Sequence, residues 1–268
     1  MINTGANKLF VWRDSVMYLG ESFQPEMHNH HAVQCCIALT GNLKVRSCET
    51  EDWQHCHAAI IGANVSHSLA CTGGFLCLLY LEKTSSCLDT IVGYQCNSQK
   101  CNIKKEPLLL HEPIPGQVVD ILMQAISSRA ENTDAASLRQ ACLELFNIYL
   151  SKTQVLDVRL TGVLNLLRSN LAHNYSGAEL AKSSSLSESR LQHLFKQQLG
   201  IPIRKYVLWM RIRLVLKKAM SGTSLTEAAH YSGFADSAHF SRTFKSMFGI
   251  AASSLLSAKN GLQAVFCE

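Results

Sequence analysis

Ser224-Leu-Thr-Glu-Ala-Ala-His-Tyr-Ser-Gly-Phe-Ala-Asp-Ser-Ala-His-Phe-Ser-Arg-Thr-Phe-Lys-Ser-Met-Phe-Gly249 reads as two short helices joined by a tight turn. Ser224 suits an N-cap, because its hydroxyl can accept from an orphan helix amide, and Glu227 three residues on completes a capping box. Leu225, Ala228 and Ala229 give the first helix an apolar side. Gly233 can take the positive φ that a helix C-terminus wants. Phe234 can fill the angle between the helices, and Asp236 or Ser237 can cap the second. Phe240, Thr243, Phe244, Met247 and Phe248 recur at helical spacing as a buried stripe. Ser237, His239, Arg242 and Lys245 remain on a polar, basic face, and Gly249 ends the helix. These signals describe a helix-turn-helix, in which the second helix enters the DNA major groove. An ordinary helical hairpin carries the same local signals, so other parts of the chain must decide.

An internal repeat does so. Leu191-Gln-His-Leu-Phe-Lys-Gln-Gln-Leu-Gly-Ile201 matches Phe240-Ser-Arg-Thr-Phe-Lys-Ser-Met-Phe-Gly-Ile250. Phe195, Lys196, Gly200 and Ile201 recur 49 residues later as Phe244, Lys245, Gly249 and Ile250. Gly177 to Ser184 reads as a short helix, Ser185-Leu186-Ser187 as its turn, with Ser187 capping the next helix. A long helix from about Pro202 to Met220 separates the two units. A rigid connector of this kind suits two successive major grooves, ~34 Å apart on one face of DNA.

Charge is divided in the same sense. Residues 157–268 hold 14 Lys+Arg against 6 Asp+Glu, whereas residues 1–156 hold 11 against 14. A basic half beside a mildly acidic one is what nucleic-acid binding by one domain predicts. No signal peptide or run long enough to span a bilayer is visible, so a cytoplasmic, non-membrane protein is expected. Of the 11 cysteines, Cys35, Cys36, Cys71 and Cys77 lie in apolar, strand-like runs and are expected to act as small buried hydrophobes. A thiol sensor at Cys96 and Cys101 is the alternative.

The segment from about 170 to 256 resembles the DNA-binding domain of the AraC family of bacterial transcription regulators. The resemblance is carried by Glu179-Leu-Ala181, Leu186-Ser187, Leu194-Phe-Lys196, Gly200-Ile-Pro202, Tyr206, Arg211-Ile212, Glu227-Ala-Ala229, Gly233-Phe-Ala-Asp236, His239-Phe-Ser-Arg242 and Gly249. The family usually places a proline a few residues after the closing glycine. Here that stretch is Gly249-Ile-Ala-Ala-Ser-Ser-Leu-Leu256. The resemblance implies double-stranded promoter DNA as a partner, contact with RNA polymerase, an unknown small-molecule effector and a homodimer.

The N-terminal half reads as β, with short apolar runs separated by turn residues every 8–12 residues. His28-x-His30, then Gln34 and Gly41, is similar to the first motif of cupin barrels, and Gly62 to His67 to the remnant of the second. In metal-binding cupins the matching positions are two histidines, a glutamate and a third histidine. Here they are His28, His30, Gln34 and His67, with His31 an extra candidate. A neutral amide in place of the glutamate weakens a divalent site. The expectation is an effector pocket, with no cofactor assigned and a divalent metal as the alternative. Helices expected over 116–130 and 135–151 serve either as a dimer interface or as packing for the barrel.

On the first reading helix Ser189, Gln192 and His193 lie opposite Leu191, Leu194 and Phe195, flanked by Glu188 and Arg190. Gln192 can bond adenine bidentately and Arg242 guanine. Lys196 and Lys245, equivalent in the repeat, are expected to grip phosphate. The chain is therefore read as α+β: a cupin-like β-barrel over 1–105, a helical linker over 106–156, and an all-α AraC-type DNA-binding domain over 157–268. Its two helix-turn-helix units are joined by a long helix. It is not read as an enzyme; the alternative is a metal-dependent cupin enzyme using His28, His30 and His67.

Overall fold

The computed structural model describes residues 7–12, 14–82, 95–96, 99–100, 105–128, 134–146, 156–256 and 261–267. Cys101 and the side chain of Cys96 lie outside the described residues, as does most of the linker expected over 151–157. Two compact units emerge: Met1–Lys152 together with Lys245–Glu268, and Thr153–Phe244. The sequence places 157–268 in one domain, whereas the structure groups 245–268 with the β-rich half.

In the β unit the strands are β1 (Lys8–Val11), β2 (Ser15–Glu21), β3 (Val33–Ala38), β4 (Asn42–Arg46), β5 (Gln54–Cys56), β6 (Ala58–Ile61), β7 (Ser68–Thr72), β8 (Phe75–Leu81), β9 (Gln95–Cys96), β10 (Gln99–Lys100), β11 (Leu108–Leu110) and β12 (Gln263–Phe266). Seven form one sheet in the order β11-β6-β3-β8-β2-β1-β12, three form a second in the order β5-β4-β7, and β9 pairs with β10. The expected barrel is therefore two main sheets and not one closed cylinder. The outer edges of β6 and β1 are occupied by β11 and β12, which leaves neither free to pair with the smaller sheet.

Phe10, Met17, Leu79, Cys35, Ile60 and Leu108 are cross-strand neighbours in one row of the large sheet. They share a buried core with Leu122, Ala125 and Ile126 of α1 (Gly116–Ser127) and Leu138, Cys142 and Leu143 of α2 (Ala135–Leu145). The apolar stripe of this helical pair is thus packed against the unit's own sheet. Side chains alternate along a strand, so Gln34, Cys36, Leu78 and Tyr80 point to the opposite face. Lys8 has no exposed surface; its ammonium donates to the carbonyl of Ala125 and, at 2.6 Å, to that of Ser128. Those carbonyls are the C-terminal end of α1, where the helix dipole favours a cation.

The helical unit runs through α3 (Val158–Ser169), α4 (Gly177–Ser184), α5 (Glu188–Leu199), α6 (Ile203–Met220), α7 (Leu225–Tyr231) and α8 (Ser237–Phe248). The last turn of α8, from Lys245, belongs to the β unit, as does the short α9 (Ala252–Leu255). The caps expected of Ser187, Ser224 and Asp236 are in place, and Ser176 supplies one more. Ser176 with Glu179, and Ser224 with Glu227, form capping boxes at α4 and α7. The Ser187 hydroxyl accepts from Arg190 N, and the Asp236 carboxylate from His239 N at 2.5 Å.

The two turns close alike: Leu186 N donates to Ala181 O at 3.1 Å, and Phe234 N to Ala229 O at 3.0 Å. Their left-handed residues are Ser185 (φ 53°) and Gly233 (φ 86°). Only the second must be glycine on grounds of space. A Cβ at Gly233 would stand 2.7 Å from Ala172 Cα and 2.9 Å from Arg211 Cζ. Arg211 itself is buried on α6. Its guanidinium donates to the carbonyls of Leu171 and Gly233, both at 2.7 Å, to that of His173 at 3.3 Å and to Asn174 Oδ1 at 2.8 Å.

Ser185→Gly relieves a left-handed strain of ~1–2 kcal/mol, partly offset by glycine's looser unfolded chain, so denaturant titration should show a gain of about 0.5–1 kcal/mol. Gly233→Ala should lower stability in the same assay. Arg211→Met removes charge-assisted bonds worth ~1.5–3 kcal/mol each and strands buried carbonyls. It should cost at least about 3 kcal/mol; a loss below about 1 kcal/mol would show that the guanidinium does not hold the unit together.

Candidate nucleic-acid interface and buried histidine cluster

On α5, Ser189, Arg190, Gln192, His193 and Lys196 are all exposed, while Leu191, Leu194 and Phe195 are buried. The helix cap and the apolar stripe together fix which face is turned out. On α8, Arg242 is exposed and Phe240, Phe244 and Met247 are buried. Ser237 and His239 are half-buried, His239 with its ring edge-on to Phe234 at 5.3 Å between centroids. Gln192 and Lys196 from one reading helix, and His239 from the other, line a common cleft of about 620 Å³ with Glu188, Arg204 and Arg211. The helical unit thus opens a reader from each helix-turn-helix onto one concave surface.

The repeat makes Lys196 and Lys245 equivalent, but the structure separates them. Lys196 points to solvent, whereas Lys245 Nζ is 2.7 Å from Glu26 Oε1 within the β unit. Both partners of this pair are largely exposed, 48% for Lys245 and 70% for Glu26, so it is a weak tie. It nonetheless competes with the phosphate contact expected of Lys245. Nothing in the local sequence marks Glu26 as a partner.

His28, His30 and His67 come together as expected. Their ligand-capable nitrogens lie within 4.8 Å of one another, and all three residues are buried. His28 and His67 are joined by a two-way backbone bridge, His28 N to His67 O at 3.0 Å and the reverse at 2.9 Å. Each Nδ1 faces a nearby carbonyl: that of His28 faces Glu26 O (2.8 Å), that of His30 faces Ala32 O (2.8 Å), and that of His67 faces Val65 O (2.9 Å). Gln34 Oε1 stands 2.8 Å from His30 Nε2 and 3.0 Å from His67 Nε2. Gln34 Nε2 donates to Tyr80 Oη at 3.2 Å. His28 Nε2 is buried without a hydrogen-bond partner. Burial lowers all three, reinforced at His28 and His67 by the neighbouring rings, and pushes His28 down to about 4, which favours neutral imidazoles. His31 is buried as well but stands outside the triad. Tyr80 escapes sequence reasoning, because only the cross-strand register places it beside Gln34.

Most of the described cysteines are small buried side chains, but Cys48 is exposed, with its thiol lowered by the hydrogen bond to Thr50, and Cys267 is half-buried. Cys35, Cys36, Cys56, Cys71, Cys77 and Cys142 are buried, and burial pushes the thiols of Cys36 and Cys56 up, the latter to about 12. No helix among the described residues is long and apolar enough to cross a membrane.

Residues 180–258 match the family described as "Helix-turn-helix domain". The chain is 36% identical over 91 residues to an uncharacterized HTH-type transcriptional regulator, YidL, of Escherichia coli K12, covering 34% of this chain and 31% of that protein. It is 30% identical over 135 residues to the HTH-type transcriptional activator RhaS of Klebsiella pneumoniae, covering 47% of this chain and 48% of that one. The matched region thus spans half or less of these relatives' length. In fold, the chain is similar to unsaturated fatty acid bound ToxT of Vibrio cholerae, with a TM-score of 0.55 at 15% identity, over 91% of this chain and 95% of the other. The matching relatives are regulators, which leaves the cupin-enzyme alternative without support. Two equivalently capped helix-turn-helix units, together with these matches, identify residues 180–258 as a helix-turn-helix domain.

Proposed function

We infer that the protein is a sequence-specific DNA-binding transcription regulator, acting in the cytoplasm on promoter DNA. The observation that carries this reading is the pair of capped helix-turn-helix units, whose polar faces are turned out on either side of the unbroken 18-residue α6. At 1.5 Å per residue α6 is about 27 Å long, a spacer of the scale that separates successive major grooves. Gln192, His193 and Arg242 read base edges, with Ser189, Arg190, Ser237 and His239 flanking them. Lys196 grips phosphate, and Lys245 does so once released from Glu26. The β unit is the sensing half, and its inward-facing Gln34, Tyr80 and histidines line the effector site. That ToxT is seen with a bound unsaturated fatty acid supports a small-molecule effector as a class. Homodimerisation and contact with RNA polymerase complete the proposal.

The test is binding of the purified full chain to its own upstream DNA against scrambled DNA at physiological salt. The expected preference is ~10³-fold or more. Gln192→Ala and Arg242→Ala should each reduce it by about 1–3 kcal/mol. Lys196→Ala should weaken both DNAs alike and lower the salt slope by about one. Absence of preference here and of enriched sites in a genome-wide pull-down would refute the reading.

A further inference from the structure

The cleft shared by the two reading helices lies wholly within the helical unit. At about 620 Å³ it is of the size that takes a small molecule, for which ~300–1,000 Å³ is usual. One wall is a stripe of α6. Arg204, Val207, Leu208 and Arg211 stand at i, i+3, i+4 and i+7, so they share one face of the helix. The stripe has a cation at each end, about 10 Å apart at 1.5 Å per residue, with two half-buried apolar side chains between them. Phosphate contacts are made by cations and hydrogen-bond donors, so DNA binding leaves the open part of Val207 and Leu208 without a role. Lys196, Arg204 and Arg211 line the cleft against one carboxylate, Glu188, which leaves an excess of positive charge. Arg211 adds a second signal. It is only 6% exposed, and burial lowers its pKa, with no carboxylate among the described residues to offset the lost solvation. Its hydrogen bonds use Nε, both hydrogens of Nη2 and one of Nη1, so a fifth N–H stays available.

We propose that this cleft binds a small organic anion, one carboxylate on an apolar ring system, and that its occupation excludes DNA. The carboxylate pairs with Arg211, where a charge-assisted hydrogen bond supplies the counter-charge that the described residues withhold. The ring system lies along Val207 and Leu208 and removes their open surface from water. Lys196 and Arg204, both exposed, draw the anion in from solvent. Gln192 of α5 and His239 of α8 line the same cleft. A bound molecule therefore stands between residues that face DNA from both helix-turn-helix units, and ligand and DNA compete for one surface. Such a ligand acts on the reader itself, so this site is separate from the effector site assigned to the β unit.

The site stands without the regulator reading; only the exclusion of DNA rests on it. Full chain is titrated with 2-naphthoate by calorimetry. Leu208→Glu, which sets a carboxylate among the apolar side chains, should weaken one equivalent of binding at least tenfold while circular dichroism stays unchanged. Arg204→Glu places an acidic residue in the first turn of α6, which the helix dipole favours. It should weaken the same equivalent at least fivefold, and it serves as the decisive variant if Leu208→Glu does not fold. The neutral 2-naphthalenemethanol, and inorganic phosphate with no apolar body, should each bind at least tenfold more weakly than the naphthoate. At ten times its Kd, naphthoate should raise the apparent Kd for upstream and scrambled DNA alike about tenfold. No bound naphthoate, wild-type affinity in the folded variants, or a neutral analogue as tight as the acid would overturn the site. Loaded protein that holds DNA as tightly as free protein would overturn the exclusion. A chain that takes naphthoate but no DNA would refute the regulator reading, and the exclusion with it, and leave the site in place.

Discussion

Arg211 donates to three backbone carbonyls and one side-chain amide, yet the described structure gives its guanidinium no carboxylate partner. A buried cation held only by neutral groups is stable only if those groups converge on it. Leu171, His173 and Asn174 lie in the connection between α3 and α4, and Gly233 lies in the turn between α7 and α8. One side chain on the connecting helix therefore demands that the approach to the first helix-turn-helix and the turn of the second both be placed against it. If either segment shifts, the charge loses acceptors that water cannot replace. The spacing of the reading helices is thereby tied to a local electrostatic requirement as well as to the length of α6. Gly233 is the counterpart of this demand, since both its φ and the Arg211 carbon beside it exclude a side chain.

Much of the helical unit is legible in the sequence, because its determinants are local. Ser187, Ser224 and Asp236 cap where their spacing places them, and the apolar stripes of α5 and α8 settle which residues face outward. The histidine cluster is legible for a different reason: a two-residue spacing puts His28 and His30 together, and the second motif supplies His67 across a strand-like bridge. What the sequence hides is long-range. Gln263-Ala-Val-Phe266 is a short apolar run with no alternation, and only its pairing with β1 makes it an edge strand. Tyr80 joins Gln34 through strand register, and Glu26 reaches Lys245 across more than 200 residues. Closure of the barrel is misread for the same reason: which strand takes a sheet edge is a competition that no local window contains.

The repeat also shows how equal sequence positions acquire unequal roles. Ser185 and Gly233 close equivalent turns, but only the second has a buried guanidinium at its Cα. Lys196 and Lys245 are equivalent by alignment, yet one faces solvent and the other a carboxylate of the β unit. In each pair the environment is imposed by elements distant in sequence. A duplicated motif preserves its caps and core first, because these are set within a few residues. Its surface chemistry is open to reassignment by whatever packs nearby.

The pairing of β1 with β12 has a consequence for how the molecule is made. Lys8 lies opposite Gln263, so the outer edge of β1 cannot be covered until residues 263–266 have left the ribosome. The helices of the second unit emerge in between and, being stabilised by local contacts, can fold first. Throughout synthesis β1 presents an unpaired row of amides and carbonyls, a ready template for another nascent chain. A chain broken off before residue 263 would keep that exposed edge permanently. β12 thus covers this edge only in a chain made at least as far as Phe266, and a shorter product would carry an edge open to aggregation or proteolysis.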